Sequence, residues 1–182
     1  EQNRTVMAVD AMHTVNKLCG TAVRTMQYQN FDGANQLLFN AKRIFVYAAG
    51  SFQRNVAREL NRLFMKYNMC IYELPAEDIM DKMDQELQYL KPEDDVVIMI
   101  SLRGESELVR EMAERMHVQG IPMISLTHHT DNTLSQLSKV NLYADTISVQ
   151  SHEVVFMFYI LLEMWFISYC QFVEDSTENI AQ

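Results

Sequence analysis

The chain has 182 residues, enough for one domain with a substantial core and too few for two ordinary domains. Its composition, 48% apolar and 21% charged, excludes bulk disorder. The net charge of −9 and the absence of a Lys/Arg run exclude a segment that grips DNA or RNA by itself.

The cysteine content indicates a reduced compartment. Cys19, Cys70 and Cys170 are odd in number, far apart and without metal-binding spacing, so we expect a cytoplasmic protein with no metal and no cofactor. The opening residues lack the pattern of a signal peptide, so we do not expect one. Because the chain begins with Glu1 rather than Met, we expect a piece of a longer protein.

The first forty residues predict two helices. In the first, apolar residues recur every three or four positions and form one stripe: Met12, Val15, Cys19, Ala22 and Met26. The second helix is expected over residues 31–41. We expect residues 1–42 to pack as extra helices on the domain that follows.

From residue 43 onward, strands and helices alternate. Strands are expected over 44–48, 70–74, 96–100, 122–127 and 140–144, with helices over 52–67, 77–90, 107–118 and 131–138. The run 96–100 is apolar on both faces, which is typical of a parallel sheet covered on both sides. We therefore predict an α/β fold with a doubly wound five-stranded parallel sheet, flavodoxin-like, in the order 2-1-3-4-5.

The closing stretch, 154–170, is apolar apart from Glu163 and Ser168. A membrane span needs about 20 such residues, and a central Glu opposes insertion. Helices that are apolar all round are often buried in a core. We favour a buried helix with one face in an oligomer contact, and expect no membrane association.

Two polar loops carry the strongest chemical signal. Gly50 and Ser51 follow the first strand, and residues 101–106 follow the third; each loop opens a helix. A helix N-terminus offers free N–H groups and a positive dipole end, which together can hold a phosphate. In the predicted strand order both loops flank the crevice at the switch point, so we expect a phosphorylated small molecule there.

The second loop supplies most of the candidate ligands. Ser101 and Ser106 offer hydroxyls, Arg103 a guanidinium, and Gly104 and Glu105 backbone amides. The alternative is a helix cap with an incidental arginine. In the first loop Ser51 and Gln53 could contact a sugar, or Ser51 could cap the helix and Gln53 lie on a solvated face.

Two further motifs, a pair of adjacent histidines and a His-Glu pair before the last helix, each allow two interpretations. His128 and His129 have only Asp131 as a nearby acid, so we favour a polar loop over a metal site. Glu153, beside His152, can be a first-turn carboxylate that the helix dipole favours. Alternatively, Glu153 is a general base that moves a proton between carbons of a keto sugar, and His152 assists ring opening.

Residues 43–170 resemble the sugar isomerase (SIS) domain. Members carry Ser-x-Ser-Gly-Glu-Thr after the third strand, which Ser101, Gly104, Glu105 and Ser106 match, while Arg103 replaces the second Ser. Residues 124–127 and 134–140 match a third element in outline. Residues 48–51, Ala-Ala-Gly-Ser, replace the Gly-x-Gly-x-Ser turn. The N-terminal helices are similar to those of RpiR-type transcriptional regulators.

The resemblance implies a sugar-phosphate-sensing domain of a bacterial RpiR-like regulator of carbohydrate metabolism. It implies an SIS domain over 43–174, a polar tail over 175–182, a homodimer or tetramer, and DNA contact only through a separate helix-turn-helix domain. The alternative is a stand-alone phosphosugar isomerase with Glu153 as its base. A scaffold that binds no ligand is a third hypothesis.

Overall fold

The computed structural model describes residues 2–75, 87–146 and 154–180. Within these ranges the chain forms five strands: β1 (Arg43–Ala48), β2 (Ile71–Glu73), β3 (Asp95–Ile100), β4 (Met123–Thr127) and β5 (Val140–Tyr143). The helices are α1 (Gln2–Met26), α2 (Phe31–Asn40), α3 (Ser51–Phe64), α4 (Glu107–Val118), α5 (Thr133–Leu137) and α6 (Val154–Ile180). A 3-10 turn, Met65–Tyr67, follows α3.

The strands form one parallel sheet in the order β2-β1-β3-β4-β5. The predicted fold class and strand order are confirmed. All six residues of β3 are buried, because this strand lies in the middle of a sheet that helices cover on both faces. β1 and β3 pair in register from Arg43 and Asp95 to Ala48 and Ile100.

The alternation of side chains along β3 divides the core into two layers. Val96, Ile98 and Ile100 belong to the layer that contains buried residues of α2, α3 and α6. Val97 and Met99 belong to the opposite layer, with the buried methionines of α4. One layer therefore lies on each face of the sheet, and the loops at the carboxyl ends of the strands adjoin both layers.

At the start of the same strands, Arg43 and Asp95 form a bidentate ion pair. The Arg43 Nε and Nη2 donate to the two carboxylate oxygens of Asp95 at 2.8 and 2.6 Å. The Asp95 side chain is completely buried and also accepts from the Lys91 N–H at 2.6 Å. These contacts hold β1 against β3 at the end of the sheet opposite the polar loops.

The last helix is apolar on most of its circumference because it packs against α1, α2 and α3. Phe158, Leu162 and Trp165 are completely buried, and the Trp165 indole donates to Asn35 Oδ1 at 3.0 Å. By length and composition alone, Val154–Glu178 is apolar enough to cross a membrane; in this fold its inner face lies in the core. Residues 175–180 continue the helix.

One sequence-based expectation, the apolar stripe on α1, has a different outcome. The stripe on α1 does not lie on one surface: Ala22 is buried with Leu18, whereas Met12 and Cys19 are exposed. The predicted helix over 77–90 falls mostly outside the described residues, of which only Leu87 onward belongs to the structure described.

Candidate functional site

The two polar loops leave the sheet side by side. Ala48 and Ile100 are register partners at the ends of β1 and β3, and the strand order reverses between these two strands. A crevice opens at such a point because the two following helices lie on opposite faces of the sheet. The sequence-predicted juxtaposition of residues 50–53 and 101–106 therefore has its structural basis here.

The first loop turns sharply into α3. Gly50 has φ of +104°, a conformation that favours glycine, and occupies the N-cap position. Ser51 is the first helical residue, and no side chain caps this helix within the described part of the chain. The Gln53 side chain folds back over Gly50, since a Cβ there would lie 2.6 Å from its Oε1. The first-turn N–H groups of α3 are thus left for solvent or a ligand.

The second loop is a tight turn around Ser101 and Gly104. The Gly104 N–H donates to Ser101 Oγ at 3.1 Å, and Gly104 has φ of +69°. Ser106 is the N-cap of α4 in extended conformation, yet its side chain makes no capping hydrogen bond. Its hydroxyl and the first-turn N–H groups of α4 remain available, which favours the ligand interpretation of Ser106 over the cap interpretation.

Glu105 has a defined partner on a third element. Its carboxylate accepts hydrogen bonds from the Thr133 N–H and, at 2.9 Å, from the Thr133 hydroxyl. The Thr133 N–H lies at the start of α5. These bonds, with the N–H contributing most, lower the pKa of Glu105 below its ordinary 4.5. The side chain of Glu105 therefore ties the second loop to α5.

Asn132, at the start of α5, contacts the same loop at Gly104. It is buried, caps α5 by accepting from the Ser135 N–H at 2.9 Å, and donates to the His129 carbonyl at 2.9 Å. Its amide lies so close to Gly104 that a Cβ on Gly104 would collide with it. Its capping role is visible in the sequence, but its contact with a glycine 28 residues earlier is not.

A cleft of about 620 Å³ lies between the two loops. Five of the eight predicted ligand residues line it: Gln53, Ser101, Arg103, Glu105 and Ser106. Gly50, Ser51 and Gly104 shape the turns beside it. The lining also contains four apolar residues that the sequence did not single out as site residues: Ala49, Leu102, Leu108 and Val109. No polar signal marks these, because such side chains usually belong to a core.

Arg103 gives the cleft its positive charge. It is exposed, and its guanidinium has no hydrogen-bond or ion-pair partner among the described residues. A free guanidinium beside two uncapped helix N-termini attracts an anion in spite of the net charge of −9. The arrangement is suited to binding a phosphate group, with hydroxyls and the Gln53 amide left to contact the remainder of the ligand.

His128 and His129 lie at the end of β4, next to this loop. The His128 N–H donates to the Leu102 carbonyl at 2.9 Å, and its ring lies 4.2 Å from that of His129. Burial, followed by His129 and Arg103, lowers the pKa of His128. In the described ranges no group of three His, Cys, Asp or Glu residues could hold a metal ion. Glu153 and His152 lie outside the described residues.

Comparison with known proteins decides the family. Residues 37–168 match the SIS domain, over more than half of the chain. The chain belongs to the SIS domain family. The match covers both polar loops and all five strands of the sheet.

Three relatives of this SIS domain are informative. The HTH-type transcriptional regulator GlvR of Bacillus subtilis is 33% identical over 144 residues, which are 76% of this chain and 55% of GlvR. The chain thus spans about half the length of that regulator. The sugar isomerase domain of an RpiR transcription factor from Sphaerobacter thermophilus has a TM-score of 0.66 at 14% identity, covering 91% of this chain and 98% of that one.

The third relative is the NanR protein of Vibrio vulnificus, complexed with ManNAc-6P. It has a TM-score of 0.65 at 17% identity, and the match covers 96% of this chain and 69% of the NanR chain. At these identities the two solved structures establish the fold. The relation to GlvR adds that this SIS domain is related to regulators of transcription.

Proposed function

We propose that this SIS domain is the sugar-phosphate-binding effector domain of an RpiR-like bacterial transcriptional regulator. The observation that carries the proposal is the pair of helix N-termini, at Gly50 and Ser106, that flank one cleft and have no side-chain caps. Arg103 adds a cation without a partner among the described residues. A ligand whose phosphate accepts from the second of these helices, and whose sugar lies at the first, would complete these contacts.

The phosphate docks on the second loop. Ser101 and Ser106 donate their hydroxyls, and the backbone amides of residues 105 and 106 face the anion. The Gly104 amide, which was also predicted to do so, donates to Ser101 Oγ and shapes the turn. Arg103 neutralises the charge of the phosphate. The sugar extends toward the first loop, where Ser51 and Gln53 contact its hydroxyls, and the apolar wall of the cleft lies along its carbon skeleton.

The relatives support this assignment. GlvR is a regulator of transcription, and the NanR structure is a complex with ManNAc-6P. By this proposal, a separate helix-turn-helix domain binds DNA. The SIS domain forms a homo-oligomer in the cytoplasm. The acidic charge of the chain agrees with a domain that does not itself contact DNA. Regulation requires that the sugar phosphate bind two arrangements of the oligomer with different affinity.

Phosphorus NMR with a panel of hexose, pentose and amino-sugar phosphates tests the proposal. We expect at least one member to broaden or shift on addition of the protein, with no new resonance over time. The unphosphorylated sugars, followed by proton NMR, should show no binding. A new phosphate resonance that grows with time would replace the proposal with a sugar isomerase, in which Glu153 is the base and Glu153→Gln abolishes turnover. No binding by any member would overturn both.

A further inference from the structure

The outward face of α1 carries a regular apolar seam that no other part of the described chain covers. The exposed residues follow the spacing 3-4-3-4-3, which is the a and d pattern of a coiled coil: Val9, Met12, Asn16, Cys19, Val23 and Met26. Met12 and Val23 expose 67% and 65% of their surface. We call these six residues the α1 seam.

The seam lies away from the rest of the domain. α1 packs on α6 through the face that contains Leu18 and Ala22, which are both buried. At about 100° per residue, the centre of the seam lies roughly 130° around the helix from Leu18. A second helix can therefore lie along the seam without displacing α6, and the two domains would project from opposite sides of the pair.

The amino-terminal half of α1 has little support within its own chain. All residues from 9 to 17 are exposed except Thr14, which is half-buried. An isolated helix shorter than about 12–15 residues is marginal in water, and most helical stability in proteins comes from packing of an apolar face. Residues 9–17 form about two and a half helical turns without a buried side chain, and such a stretch calls for a partner along the seam.

The residues of the seam fit a second copy of the chain as that partner. β-branched Val9 and Val23 occupy a positions, which favours two strands, and Asn16 occupies the a position between them. In a parallel pair the two Asn16 side chains meet and can hydrogen-bond to each other. In an antiparallel pair centred on the seam, Asn16 would lie opposite Cys19, which is a weak partner for an amide.

Charge also permits self-association along this line. The flanking e and g positions, His13, Val15, Gly20 and Ala22, carry neither a carboxylate nor an Arg or Lys side chain. Two copies of a chain with net charge −9 thus meet no pair of like-charged carboxylates there. We propose that α1 pairs with α1 of a second copy as a parallel, in-register, two-stranded contact with Asn16 and Cys19 at its centre.

Such a pair has a consequence for the assembly. A parallel contact on a two-fold axis brings both Gln2 ends of α1 to the same end of the dimer. Under the function proposed above, a DNA-binding unit that precedes α1 would then be presented as a two-fold pair, as two half-sites on DNA require. The pairing itself does not depend on that function.

Cysteine cross-linking tests the register and the direction. In the protein with Cys70→Ser and Cys170→Ser, mild oxidation should give a disulfide-linked dimer through Cys19, because equivalent d positions of a parallel pair lie within disulfide range. The matched control keeps Cys70, which is also exposed, and carries Cys19→Ser and Cys170→Ser; it should stay monomeric on a non-reducing gel. A covalent dimer in the control alone would overturn the proposal.

Sedimentation velocity tests the surface itself. Val23→Lys should convert the dimer to a monomer. Its circular dichroism spectrum should stay helical and lose at most the signal of the exposed half of α1. Ile167→Lys is the matched control, because Ile167 on α6 is also 65% exposed, and it should remain dimeric. A monomeric wild-type protein, a dimeric Val23→Lys variant, or a dimer broken only by Ile167→Lys would each contradict the α1 seam as the interface.

Discussion

Glu105 and Thr133 join the second polar loop to α5, with both carboxylate oxygens of Glu105 accepting hydrogen bonds from Thr133. The two residues are 28 positions apart in sequence, on loops that follow neighbouring strands β3 and β4. The sequence predicts that Glu105 offers its backbone amide to the ligand, and the side-chain bonds to Thr133 leave that amide unaffected. The side chain has the geometry of a positioning residue, which orients the second loop.

Glu105→Ala should weaken sugar-phosphate binding without removing a direct contact. The loop would lose its tie to α5 and would have to be ordered by the ligand, at a cost in binding free energy. Isothermal titration should show a several-fold higher dissociation constant. Glu107→Ala, in the first turn of α4 and also exposed, is the control and should bind as the wild type does. Equal affinities for Glu105→Ala and the wild type would contradict a positioning role.

The Glu105–Thr133 contact should also depend on pH. Because the folded protein lowers the pKa of Glu105, the contact contributes stability above the ordinary value of 4.5 and loses it as the pH falls through the lower folded value. In nitrogen-15 NMR, the Thr133 amide resonance should titrate with a midpoint below 4.5. Glu105→Gln should abolish that titration. A midpoint at or above 4.5 would show that the contact does not favour the carboxylate.

Gly104→Ala should disturb both stability and binding. The left-handed backbone and the contact with Asn132 oppose a side chain, and we expect a loss of about 1–3 kcal/mol in the free energy of unfolding. Gly120→Ala is the control: φ is +74°, but the nearest atoms lie 4.0 Å away and far from the cleft. Urea denaturation should show a smaller loss for it, and ligand titration should show unchanged affinity.

Arg103→Gln should lower the affinity for phosphorylated ligands. Hydrogen bonds to charged groups contribute about 1.5–3 kcal/mol, which corresponds to about a ten- to hundredfold change in the dissociation constant. Arg110→Gln on α4 is the matched control, since Arg110 is exposed and lies 3.9 Å from Glu114. If both variants bind equally well, Arg103 does not contact the phosphate.

Asp95→Ala should destabilise the fold while leaving the cleft intact. The change leaves the Lys91 N–H without its acceptor, whereas the Arg43 side chain, which is 40% exposed, can bind water instead. We therefore expect a loss of about 1–3 kcal/mol in the free energy of unfolding. Chemical denaturation gives the loss directly. Lys42→Ala breaks the neighbouring, exposed pair with Asp94 and should have a much smaller effect. Under conditions where Asp95→Ala is folded, its ligand affinity should equal that of the wild type, because the pair lies at the opposite end of the sheet.

Local signals were sufficient for most of the architecture. The apolar run that became β3 indicated a sheet covered on both sides, and the helix predicted over 107–118 coincides with α4. Both depend on hydrophobic periodicity within a few residues, which is a property of the sequence itself. The same periodicity grouped Ala22 with Met12 on α1, although these residues lie on different surfaces, because a 3–4 spacing does not reveal which side of a helix meets the domain.

The sequence by itself determined the parallel sheet, its helices and the two polar turns, because each follows from local pattern and from the rules that connect strands in one sheet. Only the tertiary structure decided which groups within those turns are free. The tertiary structure directs the Glu105 carboxylate to Thr133 and places the Asn132 amide against Gly104. It leaves the Ser106 hydroxyl without a capping bond. Contacts between residues about 28 positions apart depend on how α5 is positioned over β4, and no local pattern encodes that placement.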